Sequence, residues 1–394
     1  MFNSIYVGLS GLGAYSRGLQ QVSNNVTNLN SSGFKASTVS FTDLVSYSGR
    51  GGMSYADSGS TGGNGVANGE TRLNFQQGEL RQTQRDLDLA VNGTGFMMLQ
   101  RGSEVFYTRT GSFEVDAKGH LVLAGTDYQL ATLDASGKPV SISVDAFRTK
   151  APVQTSVVKF AENLSATSDA AGVGVSEIKV FDPNGGQHIW HAQFVRTATP
   201  GEWTLTVTDD KARSIGTATV KFNPAGTIDA ATAKPVFTDG ENGFSVTFDL
   251  SQNVTSFSSG AISTLRAASV DGHAAGAIAT LVVNDKGRLE IGYTNGEKTD
   301  LGAIAIADFR DPQSLEQRGG GLFQQTGGSA RELTTSEDSR VGRVQSRRLE
   351  ASNVDLAQQF GDLILIQRGF QASSQIISVS NDMLQQLFGI RGQG

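Results

Sequence analysis

The spacing of apolar residues along the chain predicts a long helix at each end. Near the N-terminus, apolar residues recur at alternating steps of three and four, which places them on one helix face. They are Leu12, Tyr15, Leu19, Val22, Val26 and Leu29. Near the C-terminus, a second set recurs every seven residues without a gap. It comprises Leu356, Leu363, Phe370, Ile377 and Leu384. We therefore expect one helix over about 3–30 and another from about 352 onward.

Local residues predict where these helices end and begin. The segment SSGF (31–34) follows the first apolar stripe, and we expect Gly33 to take the left-handed conformation that ends a helix. Ahead of the second stripe, Ser352 and Asp355 have the spacing of a capping box, in which serine is the cap and the acid reaches back to it. The second helix is therefore expected to begin directly after Ser352.

The residues between the apolar positions make both helices weak on their own. In VSNNVTNLN (22–30) they are mostly Asn, Ser and Thr, which are poor residues for a helix interior. The glycines of the first helix each cost about 0.8–1 kcal/mol relative to alanine. They are Gly8, Gly11, Gly13 and Gly18. Because isolated helices are marginal even with good helix formers, we expect both ends to be largely disordered in a free monomer and helical in an assembly.

Between the helices the pattern predicts β-structure. Residues 46–70 are rich in Gly and Ser, and form either a flexible linker or an extended segment shaped by neighbouring subunits. From residue 71 onward, apolar residues tend to recur at every second position, as in WTLTVT (203–208). The segments VDAKGHL (115–121) and VNDKGRL (283–289) both predict hairpins with Lys-Gly at the turn. The region between these two hairpins is therefore expected to be all-β.

Composition narrows the class of protein. The chain has 394 residues, a net charge of −6 and no cysteine. The negative charge disfavours a nucleic-acid partner, and the lack of cysteine excludes disulfides and thiol chemistry. The N-terminus lacks the basic segment of a signal peptide, and the apolar run LILI (363–366) is too short to span a membrane. We expect a protein that is not inserted in a membrane and that, if exported, carries no cleaved signal peptide.

No pattern of residues predicts catalysis, a cofactor or a metal ion. His188 and His191 lie in a predicted strand, where a three-residue step points them to opposite faces. Asp86 and Asp88 resemble a paired carboxylate, but they alternate with leucines, so we expect both on the exposed face of a strand. The sequence therefore indicates a structural protein and not an enzyme.

Three segments resemble the family of flagellar rod and hook proteins. VGLSGLGAYSRGLQQVSNNVTNLNSSGFKAS (7–37) resembles the N-terminal motif of that family. LDLAVNGTGFMMLQ (87–100), followed by FYTRTGSFEVDAKGHLV (106–122), is similar to its first β-domain. LEASNVDLAQQFGDLILIQRGFQASSQIISVSNDMLQQL (349–387) resembles its C-terminal helix. The three segments occur in the order that they have in the family.

The resemblance implies a mainly β fold with α-helical termini, built as nested, discontinuous domains. The implied domains are a pair of coiled-coil-like terminal helices in an inner tube (1–30 and 352–394), a Gly/Ser-rich linker or extended segment (31–70), a middle β-domain (71–145 and 281–351) and an inserted outer β-domain (146–280). Rod members of the family are shorter, so the outer domain makes this chain similar to the hook members.

The same resemblance implies the function and the partners. The chain is expected to be the structural subunit of a bacterial flagellar hook, a curved, flexible tube that acts as a universal joint and transmits torque from motor and rod to filament. The implied partners are other copies of itself, the distal rod protein, the hook cap, the hook–filament junction proteins and the flagellar type III export apparatus. The implied location is the extracellular hook, reached without a cleaved signal peptide.

The resemblance also assigns expected roles to individual residues. The residues expected to pack in the inner tube are Leu12, Leu19, Val22, Val26, Leu29, Leu356, Leu363, Phe370, Ile377 and Leu384. Those expected to shape the exit from the first helix are Asn24, Asn25, Gly33 and Phe34. Three alternatives stay open at this point: a coiled coil confined to one chain, a distal rod protein, and a surface adhesin. A cell-wall hydrolase is a further alternative, which would need converging acids in the middle domain.

Overall fold

The chain folds into two compact units. The computed structural model describes residues 2–45, 63–134, 136–168, 172–327 and 330–391. The first unit comprises Met1–Asp145, Leu281–Glu290 and Asp300–Gly394, and the second comprises Ala146–Thr280 and Ile291–Thr299. Both ends of the chain therefore belong to the first unit, while the second is formed mostly by one continuous stretch.

Two long helices form the ends of the described chain, as the apolar stripes predict. They are α1 (Phe2–Thr27) and α2 (Leu356–Arg391). The helices pack against each other in opposite directions, because Gly8 of α1 faces Ile377 of α2 and Gly18 faces Ile366. Three short 3₁₀ turns are Asp145–Phe147, Pro312–Ser314 and Gly319–Gly321.

The predicted boundaries of both helices need correction. The first helix ends at Thr27, earlier than residue 30. The cap of the second helix is Asp355, whose carboxylate accepts hydrogen bonds from the backbone N–H groups of Ala357 at 2.8 Å and Gln358 at 3.2 Å. The capping box that begins at Ser352 was wrong, because residues 351–355 are not helical and the Asn353 side chain instead donates to the Asn74 and Gln76 carbonyls.

Strands make up most of the remaining structure. Those of the N-terminal part are β1 (Ser37–Thr38), β2 (Phe41–Val45), β3 (Gly63–Asn68), β4 (Arg72–Leu73), β5 (Leu80–Gln82), β6 (Asp88–Asn92), β7 (Phe96–Arg101), β8 (Glu104–Thr108), β9 (Thr110–Val115), β10 (Leu121–Leu123), β11 (Gln129–Leu133) and β12 (Pro139–Ser141). Those of the middle part are β13 (Thr149–Lys150), β14 (Val157–Asn163), β15 (Val173–Phe181), β16 (Gln187–Arg196), β17 (Glu202–Asp209), β18 (Ser214–Lys221), β19 (Val236–Asp239), β20 (Phe244–Asp249), β21 (Val254–Thr255) and β22 (Arg266–Val270). Those of the C-terminal part are β23 (Gly276–Val283), β24 (Arg288–Tyr293), β25 (Lys298–Ala303), β26 (Ala305–Phe309), β27 (Leu315–Arg318), β28 (Leu322–Gln325), β29 (Arg331–Thr335), β30 (Arg343–Ser346) and β31 (Arg348–Glu350).

The first unit is built on a large sheet that combines strands from before and after the second unit. Its main path runs β27-β28-β8-β7-β11-β10-β9-β6-β30, with β12 paired to β11 and β26 paired to both β7 and β29. The short strands β31 and β5 pair separately. Phe96, Tyr107, Phe309 and Phe323 lie in one core cluster of this unit. The sheet therefore joins two stretches of sequence that lie far apart in the chain.

The second unit is all-β, as the alternating pattern predicts. The strands β15-β16-β17-β18 form an antiparallel meander, and β19-β20-β14-β21 form a second sheet in which β22 also pairs with β14. In this second sheet β14 runs parallel to β20, so the sheet is mixed. A single core cluster draws on both sheets and includes Trp190, Trp203 and Phe248. A further sheet has the order β13-β23-β24-β25.

The two predicted Lys-Gly hairpins are confirmed. Gly119 and Gly287 have φ angles of +78° and +80°, the conformation that glycine adopts at low cost. In each turn the side chain of the residue three positions earlier, Asp116 or Asn284, accepts hydrogen bonds from two backbone N–H groups of the turn. The similarity of the two segments therefore reflects shared turn chemistry.

Asp88 departs from the sequence prediction. All but the last residue of β6 are buried, and only 3% of Asp88 is exposed. Its Oδ1 atom has no hydrogen-bond partner in the described part of the chain and lies 3.9 Å from Arg85 Nε. The prediction that Asp88 lies on an exposed face was wrong, because β6 is covered on both faces. The alternation of Asp and Leu along the sequence cannot show that both faces are covered. Asp86 is partly exposed and pairs with Arg347.

The last part of the Gly/Ser-rich region forms strand β3 of a β-ribbon. The strands β2 and β3 pair in antiparallel fashion. The backbone N–H of Val66 in β3 donates to Ser10 Oγ of α1 at 3.2 Å, and the Asn68 amide donates to the Ala14 carbonyl at 3.3 Å. Within 63–68, the region predicted as linker is therefore an extended strand held by α1 of the same chain. Residues 46–62 lie outside the described residues.

Candidate functional site

Small residues form much of the face of α1 that is buried against α2. Gly8, Gly11, Ala14 and Gly18 are all buried, whereas Leu12 and Leu19 are only half-buried. A Cβ atom added at Gly8 would lie 2.6 Å from Ile377 Cγ1, and one added at Gly18 would lie 3.2 Å from Ile366 Cδ1. These glycines weaken the isolated helix, as the sequence indicates, but here they let the two backbones approach closely.

The buried face of α2 repeats every seven residues, but at a different phase from the predicted stripe. The buried positions are Gln359, Ile366, Ser373 and Ser380. Of the predicted positions, Leu363, Ile377 and Leu384 are half-buried, while Leu356 and Phe370 are exposed. Except for Ile377, which faces Gly8, the apolar stripe that dominates the sequence therefore lies beside the contact with α1 and not at its centre.

The predicted packing residues of α1 are divided between two surroundings. Val22 is buried, and Leu12, Leu19 and Val26 are half-buried. Leu29, also half-buried, packs against the small core cluster of Phe34, Ala36 and Val354. Val22 is thus covered within one chain, whereas the four half-buried residues, Leu29 among them, keep part of their apolar surface open.

One chain leaves much apolar surface of the helix pair uncovered. On α2, the exposed fraction is 53% for Phe360, 68% for Leu365 and 70% for Phe388. On α1, it is 60% for Tyr6 and 56% for Leu9. Several large apolar side chains exposed on one pair of helices are characteristic of an interaction site.

Asn25 connects three segments through its side-chain amide. Only 1% of the residue is exposed. Its Nδ2 group donates to the Ser37 carbonyl and to Gln359 Oε1, both at 2.8 Å. Its Oδ1 atom accepts from the Ser37 backbone N–H at 3.1 Å. Asn25, predicted to shape the exit from α1, therefore binds the segment after α1 and the first turns of α2.

The other predicted exit residues surround this point. Asn24 is exposed and accepts a hydrogen bond from the Asn28 side chain at its carbonyl, at 2.9 Å. Gly33 has the predicted left-handed conformation, with a φ of +72°. Its N–H donates to the Glu350 carbonyl at 2.8 Å, and Phe34 is buried. The exit from α1 is thus bound directly to the segment that leads into α2.

A buried group of three charged residues lies next to this exit. Lys35, Arg109 and Glu350 are each at most 1% exposed. The Lys35 ammonium lies 2.6 Å from Glu350 Oε1, and Arg109 Nε lies 3.0 Å from Glu350 Oε2. We call these three residues the polar joint. With two cations and one anion, the joint carries a net positive charge inside the protein.

Backbone groups complete the hydrogen bonding of the polar joint. Lys35 Nζ also donates to the Gln76 carbonyl at 2.7 Å, and the Gly78 N–H donates to Glu350 Oε1 at 2.8 Å. The Arg109 guanidinium donates to the carbonyls of Gly95 and Gly93. Burial lowers the pKa of the Lys35 ammonium below its ordinary value; Glu350 opposes that shift and Arg109 adds to it.

Sequence reasoning missed the polar joint. Its residues are separated by more than 70 and by more than 240 positions, and no spacing rule links such distant charges. The available signal is local: a single charged residue stands between uncharged neighbours in FKA, YTRTG and LEA. Such a charge is buried only when partners exist, and the fold of the whole first unit supplies them.

The described residues contain neither a cluster of metal ligands nor a membrane-spanning helix. Within the described ranges, no three His, Asp or Glu side chains are grouped closely enough to hold a metal ion. His188 pairs with Asp182 at 3.1 Å, which lowers the pKa of that carboxyl. No helix in the same ranges has the length and apolar character needed to cross a membrane.

Models of three protein families match separate parts of the chain. The model of the flagellar basal body rod FlgEFG protein C-terminal region matches residues 345–390. The model of the flagellar basal body protein FlaE D2 domain matches residues 158–273, and that of the flagellar hook protein FlgE/F/G D1 domain matches residues 90–159. The matched residues include α2, most of the second unit and part of the large sheet.

Whole-chain similarity is found to flagellar hook proteins named FlgE. The protein of Escherichia coli (strain K12) is 29% identical, with 97% of this chain and 98% of that protein covered. The protein of Borreliella burgdorferi is 28% identical, with 99% and 100% covered. A crystal structure of Helicobacter pylori flagellar hook protein FlgE2 has a TM-score of 0.49 and 14% identity, and the match covers 69% of this chain and 99% of that one.

Proposed function

This chain belongs to the family of flagellar hook proteins, and on that premise we propose how it builds the hook. The chain is a structural subunit of the bacterial flagellar hook, in which it polymerises with copies of itself. The α1–α2 pairs of neighbouring copies pack together and form the inner wall of a tube, while the β-domains lie outside them. The tube is curved and flexible, and it transmits torque from motor and rod to filament.

The uncovered apolar surface of the helix pair is the observation that supports this proposal. Phe360, Leu365 and Phe388 each expose more than half of their accessible surface in the single chain. Burying such a side chain stabilises an assembly by about 1.5–3 kcal/mol. Because α1 covers a different stripe of α2, this surface is left for other copies.

The residues that we propose for packing between subunits are the predicted apolar stripes. Leu356, Leu363, Phe370, Ile377 and Leu384 lie on the flank of α2 next to the α1 contact, where part of each side chain is accessible. On α1 the corresponding residues are Leu12, Leu19, Val22, Val26 and Leu29. Val22, Leu29 and Ile377 already pack within the chain, so the other seven carry most of the proposed contact.

The proposed domain layout follows the family. Residues 1–30 and 352–394 form the inner layer, 71–145 and 281–351 the middle domain, and 146–280 the outer domain, with 31–70 joining the inner and middle parts. The proposed partners beyond the chain itself are the distal rod protein, the hook cap, the hook–filament junction proteins and the type III export apparatus. Export through that apparatus needs no cleaved signal peptide.

Immunogold electron microscopy of detached flagella tests the location. The antibody is raised against residues 146–280. It is applied to flagella detached from cells that carry the gene for this chain, and to cells that lack the gene. We expect label on the short curved segment between rod and filament. Label on the straight rod would select the distal rod protein, and label on the cell surface with bare flagella would select an adhesin.

A matched pair of substitutions tests the proposed packing surface. Phe370→Asp places a charge in the apolar stripe, and Gln371→Asp places the same charge at the adjacent exposed polar position. We expect Phe370→Asp to abolish sedimentable polymer and Gln371→Asp to retain it. Equal loss of polymer in both variants would contradict the assignment to the apolar stripe.

A further inference from the structure

The polar joint draws one charged residue from each of three structural parts of the first unit. Lys35 follows the end of α1, and Glu350 ends β31 shortly before α2 begins. Arg109 lies between β8 and β9 of the large sheet. The three charges therefore meet where the helix pair joins the sheet.

Glu350 is the central residue of the joint. One carboxylate oxygen accepts from Lys35 and from the Gly78 N–H, and the other accepts from Arg109. The Glu350 backbone also takes part, since its N–H donates to Thr110 Oγ1 at 3.0 Å and its carbonyl accepts from the Gly33 N–H at 2.8 Å. One residue thus binds the exit from α1, the entry to α2 and the sheet.

Stability alone is a poor explanation for this arrangement. Desolvating three charges is expensive, and well-packed apolar residues often stabilise a protein as much as or more than a buried ion pair. Charged hydrogen bonds are directional, however, whereas apolar contacts allow neighbouring segments to slide. The geometry therefore suits a role in fixing orientation.

We propose that Lys35, Arg109 and Glu350 are positioning residues that fix the direction in which the helix pair leaves the sheet of the first unit. This inference rests on the proposed function, in which the helices form the inner wall and the sheet lies outside them. A fixed joint makes these two layers of one subunit move as a single body. Bending of the polymer is then taken up between subunits and not at this junction.

Distance measurements between spin labels on the monomer test the proposal. The chain has no cysteine, so labels attach only at introduced sites. Gln371→Cys on α2 and Lys118→Cys in the β9–β10 turn are both exposed positions of the first unit. Because α1 packs on α2 within the single chain, we expect one narrow distance distribution in the parent chain, and not the broad one that helix ends disordered in the monomer would give. We expect its loss on Glu350→Gln, which leaves two buried cations without their anion. The control is Glu79→Gln, which changes an exposed glutamate of a surface ion pair and keeps the narrow distribution.

A second variant keeps the test decisive if Glu350→Gln unfolds the sheet. The combined change Lys35→Met, Arg109→Met and Glu350→Leu replaces the joint with apolar side chains. A broad distance distribution together with an intact β-sheet signal supports positioning. A narrow distribution in this variant, or a broad one in the parent chain, overturns it. Because the monomer is measured, this result is independent of where antibody labels the flagellum.

Discussion

Gly8 of α1 lies so close to Ile377 of α2 that a methyl group on Gly8 would sit 2.6 Å from Ile377 Cγ1. Carbon atoms in favourable contact are about 3.5–4.0 Å apart. At Gly13, by contrast, an added methyl group meets no other atom within 4 Å. Gly8 therefore allows the close approach of α2, whereas Gly13 makes no such contact.

We expect the change from glycine to alanine to have opposite effects at these two sites. Gly13→Ala gains about 1 kcal/mol of helix propensity. Gly8→Ala gains the same amount but incurs an overpacking cost of roughly 1–3 kcal/mol, so the helix pair is destabilised. Thermal loss of the helix signal in circular dichroism measures both, because the described α-helices are α1 and α2.

A double substitution checks the cause of the Gly8 effect. Ile377→Ala removes the Cγ1 atom that the new methyl group would meet. The destabilisation by Gly8→Ala should therefore shrink in the Ile377→Ala background. Strict additivity of the two changes would contradict a direct contact.

Asn25 is expected to contribute far more to the stability of the protein than its neighbour Asn24. Asn25→Ala leaves Gln359 Oε1 and the Ser37 backbone without their partner in a buried place, which costs roughly 1–3 kcal/mol. Asn24→Ala changes an exposed side chain and should stay within about 0.5 kcal/mol of the parent. Unfolding by denaturant, followed by the helix signal, compares the two. A similar effect of both changes would show that the hydrogen bonds of Asn25 contribute little.

The sequence predicted the elements well and the contacts between them poorly. Helices at both ends, the all-β second unit and the turns at Gly119 and Gly287 follow from periodicity and turn chemistry, which are local. The contact between α1 and α2 does not follow from these local signals. The seven-residue stripe of Leu, Phe and Ile is the strongest apolar pattern in α2, whether or not its residues face α1. Gly8 was counted as a cost to the helix, since its benefit depends on a residue of α2.

Charged residues show the same limit more sharply. The burial of Asp88 and of Glu350 depends on strands that come from other parts of the chain. Alternation along one strand reports two faces and says nothing about whether both are covered. Local sequence therefore predicts an exposed acid at Asp88 and makes no prediction for Glu350, whereas the structure shows both buried.

Removing the anion of the polar joint is expected to destabilise the protein much more than removing one cation. Glu350→Gln leaves Lys35 and Arg109 as two buried cations, and we expect a loss of roughly 3–5 kcal/mol of stability. Lys35→Met keeps the Arg109–Glu350 pair and makes the joint electrically neutral. Its loss should be smaller, roughly 1–2 kcal/mol, from the hydrogen bonds of Lys35 to Glu350 and Gln76. Denaturant unfolding at neutral pH ranks the two variants, and the reverse order would contradict the assigned charge balance.

A surface carboxylate, Asp338, should stabilise the protein near neutral pH and lose that contribution in acid. The Arg340 guanidinium beside it lowers the pKa of Asp338 from 3.8 to about 2. A carboxyl whose pKa is lowered on folding stabilises the folded state at pH values above its ordinary pKa. That contribution is lost as the pH falls from about 4 through about 2. Asp338→Asn removes it. The stability difference between parent and variant should therefore narrow over this interval, as measured by thermal unfolding at a series of pH values.

Lys35 should make the first unit more stable as the pH rises in the alkaline range. Burial lowers the pKa of its ammonium below 10.5 in the folded chain, whereas the unfolded chain keeps the ordinary value. Between these two values the unfolded state binds more protons at this site, so the free energy of unfolding increases with pH. Lys35→Met lacks the titrating group, while all other groups titrate in both proteins. The stability of the parent relative to Lys35→Met should therefore grow as the pH approaches 10.5, measured by denaturant unfolding at several alkaline pH values. A difference that stays flat or falls would mean that Glu350 offsets the burial of Lys35 completely.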